Sequence, residues 1–277
     1  MTVATETRVK SNRVLREKYT RHMPTTYCPG CGHGIVLNAL VRALDVLQLD
    51  PKTILAVSGI GCSGWLSSPF LKVDSLHVTH GRAIPVATGA KVHNPELSVF
   101  IFTGDGDGAG IGGNHLIHAA RRNIDLTVIL LNNSIYGMTG GQVSPMTPRG
   151  ARTTTTEGGN PEPAFDLVKL ITGAGATYVA RWTVYHTKQL VKSIIEGVQN
   201  RGFSFIEVLS QCPAQVGRRT GDLKAVDMLM ELKNKTTLNL EKEPGKIPLG
   251  IFVNKQEKEF IESIQEMKER YLQQLIE

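Results

Sequence analysis

The chain has 277 residues, a formal net charge of +6, and 41% hydrophobic and 20% charged residues. This length is sufficient for one large domain or two small ones with a real core, and the composition is ordinary for a soluble globular protein. No run of about 18 apolar residues is present and the polar N-terminus lacks the apolar region of a secretory signal, so we expect a cytoplasmic protein with no membrane partner. The Lys and Arg residues are scattered without interleaved aromatic residues, which argues against a nucleic-acid partner.

The first part of the chain is predicted to alternate between helices and strands, on the basis of apolar spacing and turn-forming residues. The predicted elements are a loose or helical N-terminal arm over residues 1–23, a loop over 24–33, a helix over 34–49, a strand over 53–59, a short strand near 76–80 and a helix near 83–92. The strand over 53–59 opens into a glycine-bearing turn that contains Cys62.

Residues 98–142 carry the clearest pattern. One apolar run, beginning at Ser98, ends in Gly104-Asp-Gly-Asp107, and a second, beginning at Leu126, ends in Asn132-Asn133. Continuous apolar runs of this length are typical of buried parallel strands, and the residues between them predict a helix near 112–123. The polar residues therefore lie at the carboxyl ends of neighbouring strands, where open α/β sheets bind their ligands.

The residue types at these strand ends suit magnesium and a diphosphate. Mg²⁺ prefers hard oxygen ligands, which the Asp105 carboxylate, the Asn133 amide and the main-chain carbonyl of Ile135 can supply. The neighbouring glycines allow backbone N–H groups to approach an anion, and the following helix adds its positive end. Gly-Asp-Gly followed at this spacing by Asn-Asn resembles the diphosphate and Mg²⁺ signature of thiamine diphosphate enzymes. An ordinary Gly-Asp turn is the alternative.

The remaining pattern predicts a single doubly wound α/β domain with a mostly parallel sheet over residues 24–213. Its later elements are a polar loop over 143–163, a helix over 164–172, a strand over 177–182, a helix over 184–199 and a strand over 203–209. The long loop is typical of a lid or a partner contact. Residues 214–277 are predicted to be an extension ending in an amphipathic helical tail, packed on its own domain or against another chain.

The four cysteines, Cys28, Cys31, Cys62 and Cys212, leave several alternatives open. Cys28-Pro-Gly-Cys31 alone could be a redox pair, four thiolates could hold zinc or a [4Fe–4S] cluster, and the cysteines could also simply be buried. Cys62 and Cys212 each follow a predicted strand, and strands of one parallel sheet end at the same edge, so all four can meet there. The pattern leaves zinc and the cluster about level. A neighbouring thiamine cofactor favours the cluster, because zinc offers no path for electrons.

Over roughly residues 20–215 the chain resembles the β subunits of the 2-oxoacid:ferredoxin oxidoreductases. The segments that carry the resemblance are Cys28-Pro-Gly-Cys-Gly-His33, Gly59-Ile-Gly-Cys-Ser63, His80-Gly-Arg82, Gly104-Asp-Gly-Asp107, Asn132-Asn133, Tyr136-Gly-Met-Thr-Gly-Gly-Gln142 and Cys212-Pro213. The Tyr136–Gln142 segment looks more like the 2-oxoglutarate branch of that family than the pyruvate branch.

The resemblance implies a fold of the thiamine diphosphate-binding type and assigns roles to residues of this chain. It implies a [4Fe–4S] cluster on the four cysteines and Mg²⁺ on Asp105, Asn133 and Ile135. It implies thiamine diphosphate contacts from Ile60, Gly61, Cys62, Ser63, His80, Gly81, Gly106, Asp107, Gly137 and Met138. We regard His80, Arg82 and His115 as candidates for a direct catalytic contact with substrate.

We therefore expect the CoA-dependent oxidative decarboxylation of a 2-oxoacid, 2-oxoglutarate being favoured, with electrons passing to ferredoxin. The chain has room for one α/β domain, so an α subunit should supply the carboxylate that activates thiamine, in a heterodimer or a dimer of heterodimers. The alternatives are pyruvate or a branched-chain 2-oxoacid as substrate, the thiamine-binding half of a non-oxidative decarboxylase, and a zinc-stabilised basic binding module.

Overall fold

The structure is a computed structural model that describes residues 11–219 and 224–276. Its helices and strands, in chain order, are α1 (Asn12–Tyr19), α2 (His33–Leu47), β1 (Ile54–Ser58), β2 (Asp74–His77), α3 (Ala83–His93), β3 (Ser98–Gly104), α4 (Gly113–Arg122), β4 (Leu126–Asn132), α5 (Leu167–Gly173), β5 (Tyr178–Thr183), α6 (Thr187–Gln199), β6 (Phe203–Leu209), α7 (Ala225–Asn234), β7 (Thr236–Thr237), β8 (Ile247–Pro248), β9 (Gly250–Asn254) and α8 (Phe260–Ile276). None of the helices in the described ranges is long and apolar enough to cross a membrane.

Seven of the described strands form one twisted sheet in the order β2-β1-β3-β4-β6-β5-β9. Neighbouring strands are parallel except at one edge, where β9 runs antiparallel to β5. The central strands β4 and β6 are buried along their whole length, which explains why each is a continuous apolar run. The prediction of a doubly wound, mostly parallel α/β fold is confirmed.

The two faces of the sheet carry separate apolar layers, because side chains alternate along each strand. One layer, which includes Phe100 and Phe102 of β3, is covered by α2 and α6. The other layer, which includes Val99 and Ile101 of the same strand, is covered by α3, α4 and α5. This three-layer arrangement covers both faces of the sheet and leaves the loops at the carboxyl ends of the strands to form sites.

The predicted arm and extension are more closely joined to the domain than their composition indicates. Leu15 and Tyr19 of α1 are buried in the core, while residues 1–10 of the arm lie outside the described residues. Strand β9, inside the predicted extension, pairs with β5. The Asn123 side chain fixes the next segment, since its Nδ2 donates to the Lys258 carbonyl while its Oδ1 accepts from Phe203 N. The extension thus contributes a strand to the central sheet and ends in a helix.

The carboxyl ends of β1, β3, β4 and β6 meet at one edge of the sheet. In the chain, β1 is followed by β2, which lies on one side of it in the sheet, whereas β3 is followed by β4 on the other side. The switch point of the sheet therefore lies between β1 and β3. A crevice outside the strand ends at such a point is the usual ligand site of an open α/β sheet.

Candidate functional site

A cavity of about 150 Å³ lies outside the ends of β1, β3 and β4. The described residues that line it include all predicted thiamine diphosphate contacts except Gly81, namely Ile60, Gly61, Cys62, Ser63, His80, Gly106, Asp107, Gly137 and Met138. The predicted magnesium ligands Asp105, Asn133 and Ile135 line the same cavity. Segments that are far apart in the sequence therefore converge on one place, as the strand-end argument predicts.

Three oxygen-bearing groups face one another on the floor of this cavity. The terminal side-chain atom of Asn133 that faces the other two groups lies 2.7 Å from the Ile135 carbonyl oxygen and 3.2 Å from Asp105 Oδ1. If that atom is the amide oxygen, three oxygens face one another with no proton between them. If it is the amide nitrogen, the Asn133 amide donates to the Ile135 carbonyl and to Asp105 Oδ1. A cation between three oxygens satisfies the first arrangement, so the donor set fits Mg²⁺.

The Asp105 carboxylate is almost completely buried, at 3% exposure. Burial raises its pKa to about 7, against the lowering effect of a hydrogen bond from Ser144 Oγ to Oδ2 at 2.5 Å. Backbone N–H groups of Asp105, Gly106 and Ile135 also lower the pKa, but the effect of burial is larger, so the environment disfavours the charged carboxylate. A bound divalent cation would restore the charged form, which is the electrostatic property expected of a metal ligand.

The Asp107 carboxylate has a different environment, because protein donors surround it. Its Oδ1 accepts from His80 Nδ1 at 2.7 Å, from Gly81 N at 2.7 Å and from Ile60 N at 3.1 Å. Its Oδ2 accepts from Thr103 Oγ1 at 2.5 Å. The side chain thus ties together the turns that follow β1 and β2. His80 also lines the cavity, and since its Nδ1 is engaged, Nε2 is the nitrogen available to a ligand.

The other two catalytic candidates lie outside this cavity, whose described lining contains neither of them. Arg82 is exposed, and its Nη1 donates to the Gly81 carbonyl at 3.3 Å. The pKa of His115 is lowered by partial burial and by the nearby charges of Arg82 and His118. Arg82 and His115 are therefore close to each other near the starts of α3 and α4. Of the three candidates, His80 is the one that the structure places at the site.

All four cysteines line a second cavity, of about 280 Å³, next to the first. Burial raises the pKa of Cys31 to about 12 and that of Cys62 to about 11, and each is raised further by the charges of other cysteines in the set. Cys28 is exposed and Cys212 is buried. In the part of the chain that the structure describes, no three Cys, His, Asp or Glu side chains are already arranged around a metal position. The thiols share a cavity, and a metal would have to draw them together.

The two cavities have a common wall. Both are lined by His33, Cys62, Asn133, Gly137 and Met138. His33 is 2% exposed, and burial lowers its pKa to about 4. Its Nδ1 lies 3.2 Å from Cys31 Sγ, and its Nε2 has no hydrogen-bond partner among the described residues. The sequence places His33 beside the cysteine motif, but its position between the cavities depends on how α2 begins.

Two further residues support the site without having been predicted to do so. The Tyr136 hydroxyl donates to the Gly106 carbonyl at 3.1 Å, and a Cβ on Gly106 would come within 2.1 Å of the Tyr136 ring. Residue 106 must therefore be glycine for the ring to pack there. Ser144, from the loop over 143–163, bonds Asp105. In the sequence, Tyr136 could have been identified by its place in the Tyr136–Gln142 segment, whereas no motif indicates Ser144.

The loop over 143–163 is anchored at the site by buried polar groups. Thr147 Oγ1 donates to the Ser134 carbonyl at 2.7 Å. The buried Asn160 amide donates to the Thr147 carbonyl at 2.8 Å. These bonds link the beginning of the loop to the turn that carries Asn133 and Ile135. The exposed part of the loop could still act as the predicted lid or partner contact.

Comparisons with known proteins agree with this geometry. Residues 59–208 match the family described as thiamine pyrophosphate enzyme, C-terminal TPP binding domain. The chain is 51% identical to the 2-oxoglutarate synthase subunit KorB of Methanocaldococcus jannaschii, over 91% of this chain and 97% of that one. It is 43% identical to the beta subunit of 2-oxoacid:ferredoxin oxidoreductase 2 of Aeropyrum pernix, over 68% of this chain and 60% of that one.

A solved structure is also similar over most of the chain. It is the 2-oxoglutarate:ferredoxin oxidoreductase from Magnetococcus marinus, with 2-oxoglutarate, coenzyme A and succinyl-CoA bound. The TM-score is 0.84 at 34% sequence identity, and the match covers 92% of this chain and 90% of that one. The fold and the family match therefore include the strand ends that form the first cavity.

Proposed function

The chain belongs to the β subunits of the 2-oxoacid:ferredoxin oxidoreductases, and from that premise we propose that it is the cofactor-binding half of a 2-oxoglutarate:ferredoxin oxidoreductase. The reaction is the oxidative decarboxylation of 2-oxoglutarate with CoA to succinyl-CoA and CO₂, and two electrons pass to ferredoxin. The observation that carries the proposal is the convergence of a thiamine diphosphate cavity and a four-cysteine cavity at one sheet edge. The enzyme works in the cytoplasm.

The first cavity would hold thiamine diphosphate and Mg²⁺. Asp105, Asn133 and the Ile135 carbonyl would bind the cation, which in turn would bind the diphosphate. The turn at Ile60–Ser63 and the residues Gly106, Gly137 and Met138 would surround the cofactor. When bound, thiamine supplies an electron sink for the carbon that loses CO₂. His80, held by Asp107, would direct Nε2 towards the substrate end of the cavity.

The second cavity would hold a [4Fe–4S] cluster on Cys28, Cys31, Cys62 and Cys212. Two features of the chain support this: the four thiols line one cavity, and that cavity shares a wall with the thiamine cavity. A redox centre in this position can receive electrons from the reacting carbon. Zinc would bind the same thiolates but could not accept electrons. The oxidative reaction therefore favours the cluster.

An α subunit would complete the active site. Small-molecule sites usually have volumes of roughly 300–1,000 Å³, whereas the first cavity has about 150 Å³. Residues of a second chain would therefore form the rest of the site. Exposed apolar residues of the C-terminal extension, among them Leu238, Phe252, Met267 and Tyr271, offer a contact surface for a second chain. A heterodimer or a dimer of heterodimers would then bind CoA, 2-oxoglutarate and ferredoxin.

The test is to purify the chain anaerobically with its α subunit and to measure both composition and reaction. We expect about four irons and four acid-labile sulfides on this chain after the subunits are separated. We also expect ferredoxin reduction that requires 2-oxoglutarate, CoA and thiamine diphosphate together, with slower rates for pyruvate and branched-chain 2-oxoacids.

Other outcomes of this experiment would contradict separate parts of the proposal. Zinc without sulfide on this chain, or iron found on another subunit alone, would refute the cluster assignment. Release of succinate semialdehyde with no need for CoA or ferredoxin would identify a non-oxidative decarboxylase. A clear preference for pyruvate would refute the substrate assignment and leave the class intact. Replacing Cys28 by Ser provides a control, because it should abolish iron binding without removing thiamine diphosphate.

A further inference from the structure

The turn that carries Asn133 and Ile135 is fixed by its neighbour Asn132. The Asn132 side-chain Oδ1 accepts hydrogen bonds from Ser134 N at 3.0 Å and from Ser134 Oγ at 3.2 Å. Ser134 has a positive φ of 60°, a conformation that a residue with a Cβ adopts only when its surroundings hold it there. Because Ser134 lies between Asn133 and Ile135, its conformation sets the direction of both proposed magnesium ligands.

Asn132 is in turn held by a row of charged side chains inside the sheet. Asn132 Nδ2 donates to Glu207 Oε1 at 2.7 Å, and Arg181 Nε donates to Glu207 Oε2 at 2.7 Å. Arg181 Nη2 donates to Asp166 Oδ1 at 2.8 Å. Asn132, Arg181 and Glu207 are 5%, 5% and 1% exposed, and they lie on the adjacent strands β4, β5 and β6.

The stability of the sheet does not by itself account for this row. A buried ion pair loses about as much free energy in desolvation as it gains in attraction, and apolar residues of similar volume would fill the space as well. The row has one property that apolar residues lack. An ionised carboxylate can only accept hydrogen bonds, so Glu207 compels Asn132 to present its NH₂ group and to direct its oxygen towards Ser134.

We propose that Glu207 and Arg181 are positioning residues of the magnesium and diphosphate turn, acting through Asn132. Arg181 fixes the orientation of the Glu207 carboxylate, and Glu207 sets the orientation of the Asn132 amide. Asn132 then holds Ser134 in the conformation that aims Asn133 and Ile135. The inference rests on the proposed function of the first cavity. It adds to it two buried residues that touch neither cofactor nor substrate.

The test uses the α–β complex, freed of cofactor by dialysis against a chelator, and calorimetric titration with Mg²⁺ and thiamine diphosphate. In Glu207→Gln, the oxygen of the new amide remains with Arg181 and its NH₂ group faces the NH₂ group of Asn132, so the Asn132 amide turns and loses Ser134. Loss of such a supporting partner typically weakens metal binding about 10- to 100-fold. We expect this loss in affinity, with a raised KM for thiamine diphosphate and kcat at saturating cofactor changed by less than about threefold.

A double variant restores the hydrogen-bond directions. In Asn132→Asp with Glu207→Gln, the new amide at position 207 donates its NH₂ group to the new carboxylate at position 132, which accepts again from Ser134. We expect most of the lost affinity to return.

The matched control is Lys91→Met, which removes a buried ion pair at the opposite end of the sheet. In the unaltered chain, Lys91 Nζ lies 2.7 Å from Asp125 Oδ2. The substitution should lower Tm without changing cofactor affinity.

The results separate this inference from the proposed function. If the unaltered complex binds no Mg²⁺ or thiamine diphosphate, both are wrong. If it binds them and Glu207→Gln lowers Tm but not affinity, as Lys91→Met does, the row is purely structural and the inference alone is wrong. Should Glu207→Gln fail to fold, Arg181→Met with Glu207→Met replaces the ion pair by apolar volume, and unchanged affinity in that variant would equally overturn the inference.

Discussion

At the scale of single residues, Asp105 and Asp107 show how neighbours decide the role of a side chain. Both are buried at 3% exposure and both follow β3. Asp107 accepts hydrogen bonds from four donors on three segments. Asp105 has one side-chain donor, Ser144, and smaller contributions from nearby backbone N–H groups, and it faces other oxygens. The hydrogen bonds of Asp107 are thus satisfied by protein donors, and Asp105 is the carboxylate that would suit a cation.

This difference predicts opposite effects of the same substitution on the cofactor-free protein. In Asp105→Asn, removal of a buried, poorly compensated carboxylate should leave stability unchanged or raise it by about 1 kcal/mol, while Mg²⁺ binding is lost. In Asp107→Asn, loss of charge-assisted bonds should cost about 1–3 kcal/mol. Thermal unfolding of both variants, with Mg²⁺ titration of each, measures the effects. Destabilisation by Asp105→Asn as large as that by Asp107→Asn would contradict the assigned roles.

The residue types of the site could be predicted from the sequence, and their separate roles could not. Gly104-Asp-Gly-Asp107 at a strand end predicts carboxylates near an anion site. Whether a carboxylate binds a cation or holds the protein together depends on donors from His80, Gly81 and Ile60, which are distant in sequence. The supporting bond from Ser144 comes from a polar loop whose composition gives no sign of it.

At the scale of elements, Asp166 connects helix α5 to strand β5. Its side chain accepts from Lys169 N at 3.5 Å as the helix cap and binds Arg181 at 2.8 Å. Partial burial raises the pKa of Asp166, whereas the hydrogen bond and charge of Arg181 lower it. The lowering effects together are larger, so the pKa lies below its usual value. The folded state therefore favours the ionised carboxylate.

This pKa predicts an acid-sensitive contribution to stability. Because the folded pKa is below the unfolded value of about 3.9, the contribution is present above that pH and is lost as pH falls through the folded pKa. Asp166→Asn should be less stable than the unaltered chain near pH 7, and the difference should shrink as pH falls below the unfolded pKa and through the folded pKa. Urea unfolding of the metal-free chain across this range measures it. A difference that is constant with pH would refute the assigned ion pair.

Most elements could be predicted, because strands that are buried on both faces of the sheet have continuous apolar runs in the sequence. The strand predicted over 203–209 is β6 with the same limits, and the two helices that precede it in the chain begin within a few residues of their predicted starts. Strand β9 was not predicted. It is a short edge strand with Ile251 and Phe252 partly exposed, and its existence depends on pairing with β5, far earlier in the chain.

At the scale of the whole molecule, the two cavities depend on the same turns. Cys62 begins the helical turn Cys62–Leu66 and lines both cavities, whereas Cys28 lines the cysteine cavity and is exposed. A metal bound to Cys62 would therefore also fix the turn that carries Gly61 and Ser63 at the thiamine cavity. The two cavities are therefore coupled through one backbone segment, which would link a bound cluster to the thiamine site.

This coupling predicts different effects of two cysteine substitutions. Cys28→Ser and Cys62→Ser should both lose iron, since each removes one of four thiolates. Only Cys62→Ser should also weaken thiamine diphosphate binding, by about tenfold or less, because its turn loses its anchor. Iron analysis and calorimetric titration of the two complexes test this. Equal thiamine diphosphate affinities in the two variants would show that the cavities are independent.

The C-terminal extension has one part that belongs to the fold and one that is available to a partner. Strand β9 extends the sheet, and Lys258 is bonded to Asn123. Of the described side chains of α8, only Ile261 is buried, while Met267, Tyr271 and Leu272 are more than half exposed. Apolar residues that remain exposed on a helix of a single chain often mark an interface. The sheet therefore requires the first part of the extension, and assembly would require the second.

Two truncations distinguish these parts. A chain that ends at residue 213 loses β9 and α7, exposes the edge of β5, and should fail to fold. A chain that ends at residue 263 keeps Phe260 and Ile261 and should unfold within a few degrees of the full chain, yet bind the α subunit about tenfold more weakly or worse, because it lacks the exposed apolar residues of α8. Circular dichroism and co-purification with a tagged α subunit measure the two properties. Undiminished binding by the chain ending at 263 would show that α8 packs elsewhere and that the α subunit docks on the cavity side of the sheet alone.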